Sequence, residues 1–147
     1  TLPPHENEIG EKYLQALPTK KHLLNGALDI LNYLAHKGYN LHIITNGFND
    51  VQNKKIQNAG IAHYFSNVVT FETANAKKPD PIIYEYAIEM TKTPRSQCLM
   101  IGDNWVADIL GAKQVGLDTV YYNPANLQFE DTPTFDIRHL TDLKRIL

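Results

Sequence analysis

The sequence holds one cysteine, one tryptophan and two methionines among 147 residues. A single thiol, Cys98, cannot close an internal disulfide, which excludes a disulfide-built scaffold and makes a reducing, cytoplasmic setting the default. It sits in the apolar run CLMIG, where a thiol acts most often as a small buried hydrophobe. No apolar run approaches the ~18 residues that a bilayer span needs. No charge sign dominates either: 14 Lys and Arg face 16 Asp and Glu, a net of -2. The lysine pairs at 20–21, 54–55 and 77–78 read as solvated surface, and nothing forms the basic stripe of a nucleic-acid binder. Six histidines offer no closely spaced ligand pair, which argues against a zinc site. The opening TLPPHENEIG is polar and acidic, unlike a signal or transit peptide. Glycine-rich dinucleotide, P-loop and nucleophile-elbow motifs are absent.

What is present is an ordinary globular composition, 43% hydrophobic and 20% charged. Length alone suggests one domain, able to bury roughly 68–70% of its unfolded surface. Apolar spacing predicts helices over 4–17 and 26–36, the latter closed by Gly38. Leu41–Thr45 reads as a buried strand, followed by a helix from Asn49 to near Gly60, with Asn49 and Gln52 in a capping-box pattern. The second half repeats the alternation. Strands are expected at 67–71, 98–101, 118–122 and 135–137. Helices are expected from Asp80-Pro81 to Met90, over 105–115, and at the C-terminus behind Thr141 or Asp142. Such alternation predicts an α/β fold with a parallel sheet covered on both faces. The one shift in composition is the polar stretch 123–133.

In an open parallel sheet, ligands bind outside the carboxyl ends of the strands. The first strand runs into Thr45-Asn46-Gly47. The strand at 98–101 runs into Gly102-Asp103-Asn104, with Asp108 five residues after Asp103. Lys77-Lys78-Pro79-Asp80-Pro81 lies between them, ahead of a helix. A hydroxyl, a lysine and an acidic pair would converge on one rim, as phosphate chemistry with a divalent cation requires. Singly, each has a bland reading: Asn-Gly as a turn, Lys78 as surface, Asp103 and Asp80 as helix caps. The ordered set is what points to chemistry.

IITNG, KKPDP and MIGDNWVADILGA, in that order, resemble the second, third and fourth motifs of the haloacid-dehalogenase-like hydrolases. The resemblance covers about residues 23–122 and is nearest to the phosphatases with a helical cap, including pyrimidine 5′-nucleotidase-like members. It implies a Rossmann-like three-layer core and Mg²⁺ as cofactor. By position it assigns Thr45 to hydrogen-bond the phosphoryl group, with Asn46 and Gly47 shaping that loop. Lys78 would neutralise phosphoryl charge, Asp103 would bind Mg²⁺, and Asp108 would hold a metal-bound water or orient the loop. The family's Ser-Glu-x-x-Gly is matched here by Phe71-Glu72-Thr73-Ala74-Asn75. Asn75 suits the glycine's place because Asn tolerates left-handed backbone, whereas Phe71 removes a polar group from the rim.

The family's first motif, Asp-x-Asp on a central strand, supplies a covalent nucleophile and a general acid. No Asp-x-Asp occurs in this chain. The sequence therefore reads as the C-terminal part of a phosphomonoesterase acting through an aspartyl-phosphate whose Asp lies outside it. On this reading, residues 1–19 are the end of the helical cap and its return linker. Residues 20–147 are then an incomplete core missing its first, central strand and most of the cap. The expectations that follow are no turnover by this chain alone and strand exchange or oligomerisation through the gap. The substrate is expected to be a phosphorylated small molecule, with no nucleic acid or membrane partner. The alternatives are a haloacid dehalogenase of the same fold, disfavoured by Gly102-Asp103, and a non-catalytic phosphate-binding module.

Overall fold

The computed structural model describes residues 22–147. The helix expected over 4–17, and with it the cap-and-linker segment 1–19, lies outside the described residues. Helix α1 (Ala27–His36) turns Ile30 and Leu34 inward. It stops at Lys37-Gly38, where Gly38 adopts φ +84° in open space. Strand β1 (Leu41–Thr45) and helix α2 (Asn49–Asn58) follow. The expected capping box at Asn49 is not formed: Phe48 is the N-cap without a side-chain bond. Instead Glu72 Oε2 accepts the Asn49 N–H at 2.6 Å, so the cap comes from a distant segment.

Strand β2 spans Phe65–Thr70, two residues earlier than the pattern suggested. Thr70 caps the short helix α3 (Phe71–Ala74) in a reciprocal capping box with Thr73. Asn75 closes it at φ 52°, the left-handed conformation its side chain tolerates. Asp80 then caps α4 (Pro81–Thr91) by accepting the Ile82 N–H, with Pro81 at the first helical position. Strand β3 (Leu99–Gly102) leads into a π-helix (Trp105–Leu110) that continues as α5 (Gly111–Gln114). Strands β4 (Asp118–Tyr122) and β5 (Phe135–Ile137) precede a terminal 3₁₀ helix (Leu140–Arg145). Asp142 Oδ2 anchors that last helix by accepting the Arg138 and His139 N–H groups.

All pairings are parallel. β1 pairs β2 with Thr45 opposite Thr70, and β3–β4–β5 form a second sheet with Gly102 opposite Tyr121. The two sheets share no ladder hydrogen bonds among the described residues. They are joined by their helices instead. One core cluster gathers Val69 of β2, Ile83, Tyr84 and Ala87 of α4, and Ala112, Val115 and Leu117, with Ile44 of β1 and Met100 of β3 against it. The other gathers Ile30 and Leu34 of α1, Val120, Ile137 and Leu143, with Leu41 of β1 and Leu99 and Ile101 of β3. Leu99 and Ile101 of β3 point to one face and Met100 to the other, and the apolar cluster on each face takes in residues of both sheets.

This corrects the expected fold. The expected core, missing its first, central strand and most of the helical cap, rests on one absent motif, whereas the apolar clusters run continuously across residues of both sheets. The described residues form a largely complete α/β core of two sheets and several helices, held by two continuous apolar clusters. No described helix is long and apolar enough to cross a membrane.

Candidate active site

The residues that the sequence singles out meet at the carboxyl ends of β1 and β3. Thr45 is the last residue of β1, and its Oγ1 accepts the Gly47 N–H at 3.1 Å, which folds the TNG turn back over the strand end. Asn46 reaches across to the loop before α4. Its Oδ1 accepts the Lys78 N–H at 2.7 Å, and its Nδ2 donates to the Lys78 carbonyl at 3.0 Å. This two-point clamp fixes the backbone of Lys78, whose peptide bond to Pro79 is cis. The Lys78 ammonium then donates to Asp108 Oδ1 at 2.6 Å, with side-chain exposures of 12% and 6%. The other Asp108 oxygen, Oδ2, accepts the N–H groups of Asp103 and Asn104 at 3.1 and 3.0 Å.

An unbroken set of hydrogen bonds therefore runs from the β1 turn through Lys78 and Asp108 to the β3 turn, across two sheets that do not pair among the described residues. Asp108 spends both carboxylate oxygens on protein donors, which makes it a brace for this loop. Asp103 is exposed at the mouth, and among the described residues its carboxylate accepts no hydrogen bond. Glycine at 102 is a steric necessity: a Cβ there would lie 2.3–2.4 Å from Asp108 side-chain atoms.

The surroundings contain groups that the sequence did not flag. Tyr84, wholly buried on α4, donates its hydroxyl to the Ala107 carbonyl inside the π-helix. Burial, and then the nearby Asp108 charge, raise its phenol above the ordinary range. Trp105 stacks on Phe129 at 4.1 Å with 4° between the planes, and Tyr121 packs edge-on against both. Burial, then Asp136 and Asp103, raise the Tyr121 phenol. Buried Asn123 anchors the polar stretch that carries Phe129, binding Leu127 N–H and C=O and Asp136. On the opposite lip, Phe71 meets Phe48 edge-on at 5.2 Å and takes the Lys77 ammonium over its face at 4.7 Å. Periodicity cannot foresee the Tyr84–Ala107, Trp105–Phe129, Tyr121–Phe129 and Phe48–Phe71 contacts, which join separate segments of the chain.

Comparison with known proteins supports the same reading of the chain. The model of the haloacid dehalogenase-like hydrolase family matches residues 5–122. The pyrimidine 5′-nucleotidase PynA of Streptococcus pneumoniae is 32% identical over 92% of this chain and 58% of its own length. The pyrimidine 5′-nucleotidase YjjG of Escherichia coli is 32% identical over 95% of this chain and 63% of its own. The magnesium-bound crystal structure of the HAD-hydrolase YfnB from Bacillus subtilis superposes with a TM-score of 0.87 at 31% identity, over 95% of this chain and 62% of that one. The chain thus spans about three fifths of the length of these relatives.

These matches overturn two expectations. The expectation that the chain matches only the C-terminal part of the family's domain, without its first motif, is corrected: the family model aligns with it from residue 5 through all three motifs. The expectation of inactivity from a missing nucleophile is likewise withdrawn, since 95% of the chain superposes on a solved hydrolase of this fold. From the ordered motifs, the braced strand-end loops and the continuous family match, this chain belongs to the haloacid dehalogenase-like hydrolases.

Proposed function

We propose that the site serves a Mg²⁺-dependent hydrolysis of small phosphorylated metabolites. The single observation that carries this reading is the Lys78–Asp108–Asp103 arrangement at a strand-end rim: Asp108 fixes the Lys78 ammonium and the Asp103 backbone, and the Asp103 carboxylate accepts no hydrogen bond among the described residues. The 32% identity to two pyrimidine 5′-nucleotidases favours a nucleoside monophosphate among such substrates. The cytoplasm, the default compartment for a chain with one thiol, is the setting this reading implies.

The residues present suit magnesium. Mg²⁺ takes hard oxygen ligands, keeps several waters and is held by one or two carboxylates plus substrate phosphate. Asp103 is the group that would hold it, and Asp108 would serve by fixing the Asp103 and Asn104 backbone beneath it. When bound, the ion supplies charge stabilisation to the phosphoryl oxygens. The chain's own groups bind and orient the phosphoryl group. The Thr45 hydroxyl, which accepts from Gly47, still has its O–H to donate to a phosphoryl oxygen. The Lys78 ammonium has three donors, of which Asp108 engages one. The others can meet the negative charge that phosphoryl transfer leaves on the equatorial oxygens. Asn46 holds Lys78 in place through its backbone, and with Gly47 shapes the loop that would face the phosphate.

The test uses the one tryptophan, which opens the helix after Asp103. Titration with Mg²⁺ and then orthophosphate, followed by Trp105 emission, should saturate in the wild type. Asp103→Asn should abolish the Mg²⁺ response while leaving the melting temperature nearly unchanged, because Asp103 is exposed. Release of phosphate from small phosphomonoesters should depend on Mg²⁺ and fall by at least about a hundredfold in the same variant. A chain that neither binds orthophosphate with Mg²⁺ nor releases it from esters would sink this reading.

A further inference from the structure

We infer that the Tyr84 hydroxyl is a positioning group that sets the register of the turn carrying Asp108, and through it the Asp103 loop. The inference rests on the phosphatase reading only for what the loop is for; the geometry stands by itself. In a regular α-helix the Ala107 carbonyl accepts the N–H four residues on, from Gly111. Here the Gly111 N–H donates to Val106, five residues back. The Tyr84 hydroxyl, fully buried, donates to the Ala107 carbonyl. Room for that hydroxyl depends on glycine, since a Cβ on Gly111 would lie 2.4 Å from the Tyr84 oxygen and 2.9 Å from its ring.

The widened turn has a direct consequence at the site. Asp108 and Ile109 both donate their N–H groups to the Asn104 carbonyl, at 2.8 and 3.3 Å. The Asp108 side chain is thereby returned beneath the end of β3, where it meets Asp103, Asn104 and Lys78. Single wide turns of this kind are uncommon in helices and cluster at functional sites. Tyr84 lies on α4, the helix that begins three residues after Lys78. One phenol thus ties the element following the lysine to the turn holding its carboxylate partner. A phenylalanine would fill the same volume and leave the turn free to relax to α-helical register, drawing Asp108 away from the two amides it holds.

The experiment is amide hydrogen exchange by NMR on the metal-free chain, comparing wild type with Tyr84→Phe. The Asp103 and Asn104 amides should exchange about tenfold faster in Tyr84→Phe, as expected for a weakened buried hydrogen bond. Val69, in the core of the other sheet, should be unaffected. Trp105 emission should shift in the same variant. Gly111→Ala, which displaces the hydroxyl while keeping the ring, should reproduce the pattern and guards against a folding artefact of the first change. Unchanged exchange at Asp103 and Asn104, or equal acceleration at Val69, overturns the inference. A parallel Mg²⁺ titration should show about tenfold weaker binding in Tyr84→Phe, the same lost hydrogen bond felt through Asp103. A wild type that ignores Mg²⁺ counts against the phosphatase reading alone, because the metal-free exchange still decides the role of Tyr84.

Discussion

The Lys78 ammonium lies 2.6 Å from Asp108 Oδ1, and the two side chains are 12% and 6% exposed. Lys78 enters from the loop before α4, and Asp108 from the turn after β3. The contact therefore spans the seam between two sheets that share no strand ladder. A charge pair this far from water is costly to form and costlier to halve, because the survivor is left desolvated. Asp108→Ala strands Lys78 and removes the acceptor of two backbone N–H groups, so it should destabilise the fold by about 3–5 kcal/mol. Lys78→Met leaves Asp108 its two backbone donors and should cost less, about 2 kcal/mol. In urea unfolding the double variant should lose less than the sum of the singles. Additive losses would show that the two side chains do not depend on each other.

Gly102 supplies a second test of the same brace. Its missing Cβ is the space that the Asp108 side chain crosses, with contacts of 2.3–2.4 Å for a methyl placed there. Gly102→Ala should force Asp108 aside and cost about 1–3 kcal/mol by overpacking. It should also expose the Asp103 and Asn104 amides to exchange, whereas an alanine at exposed Gly60 should leave them protected. A Gly102→Ala protein with wild-type stability and protection would mean that the loop has slack the contacts do not show.

Much of this site is legible in the sequence because its parts are local. TNG, KKPDP and GDNWVAD each lie at a strand end or just before a helix, and α/β alternation brings such ends to one rim. Asp80, Pro81 and Asn75 also fold as their local chemistry dictates. What could not be read was everything that depends on packing between distant segments. The π-turn at Trp105–Leu110 has the apolar spacing of an α-helix, and only Tyr84 reveals why it is wider. The cap of α2 comes from Glu72, twenty-three residues away, so the local Asn49–Gln52 pattern misled. Apolar clusters that take in both sheets are equally invisible to a motif, which is how an absent Asp-x-Asp came to suggest a core missing its central strand.

The aromatic set beside Asp103 should behave as one unit. Trp105 stacks on Phe129 at 4.1 Å, and Tyr121 meets both rings edge-on. Phe129 is carried by a polar stretch that Asn123 and the Lys113–Asp131 pair also anchor. Phe129→Ala should cost about 0.5–1.5 kcal/mol for the lost aromatic pair beyond its area. It should also red-shift Trp105 emission as the indole gains water. Wild-type emission in Phe129→Ala would show that the stack does not shield Trp105.

His42 gives the fold a pH dependence whose sign can be worked out. It sits on β1 opposite Asn67, whose Nδ2 lies 3.1 Å from His42 Nδ1. With the amide so placed, neutral His42 accepts at Nδ1, and protonation would set donor against donor. Burial lowers the folded-state value below the ordinary 6.5. In the window between that lowered value and 6.5, the unfolded chain binds more protons than the folded one. Stability therefore rises with pH through this window and is lost as pH falls through it. His42→Gln removes the titration but not the polar side chain. Melting temperatures measured at pH 7.5 and 5.5 should differ more for the wild type than for His42→Gln, since the two chains share the other five histidines. Equal differences would mean that the imidazole is as free to charge in the fold as in the open chain.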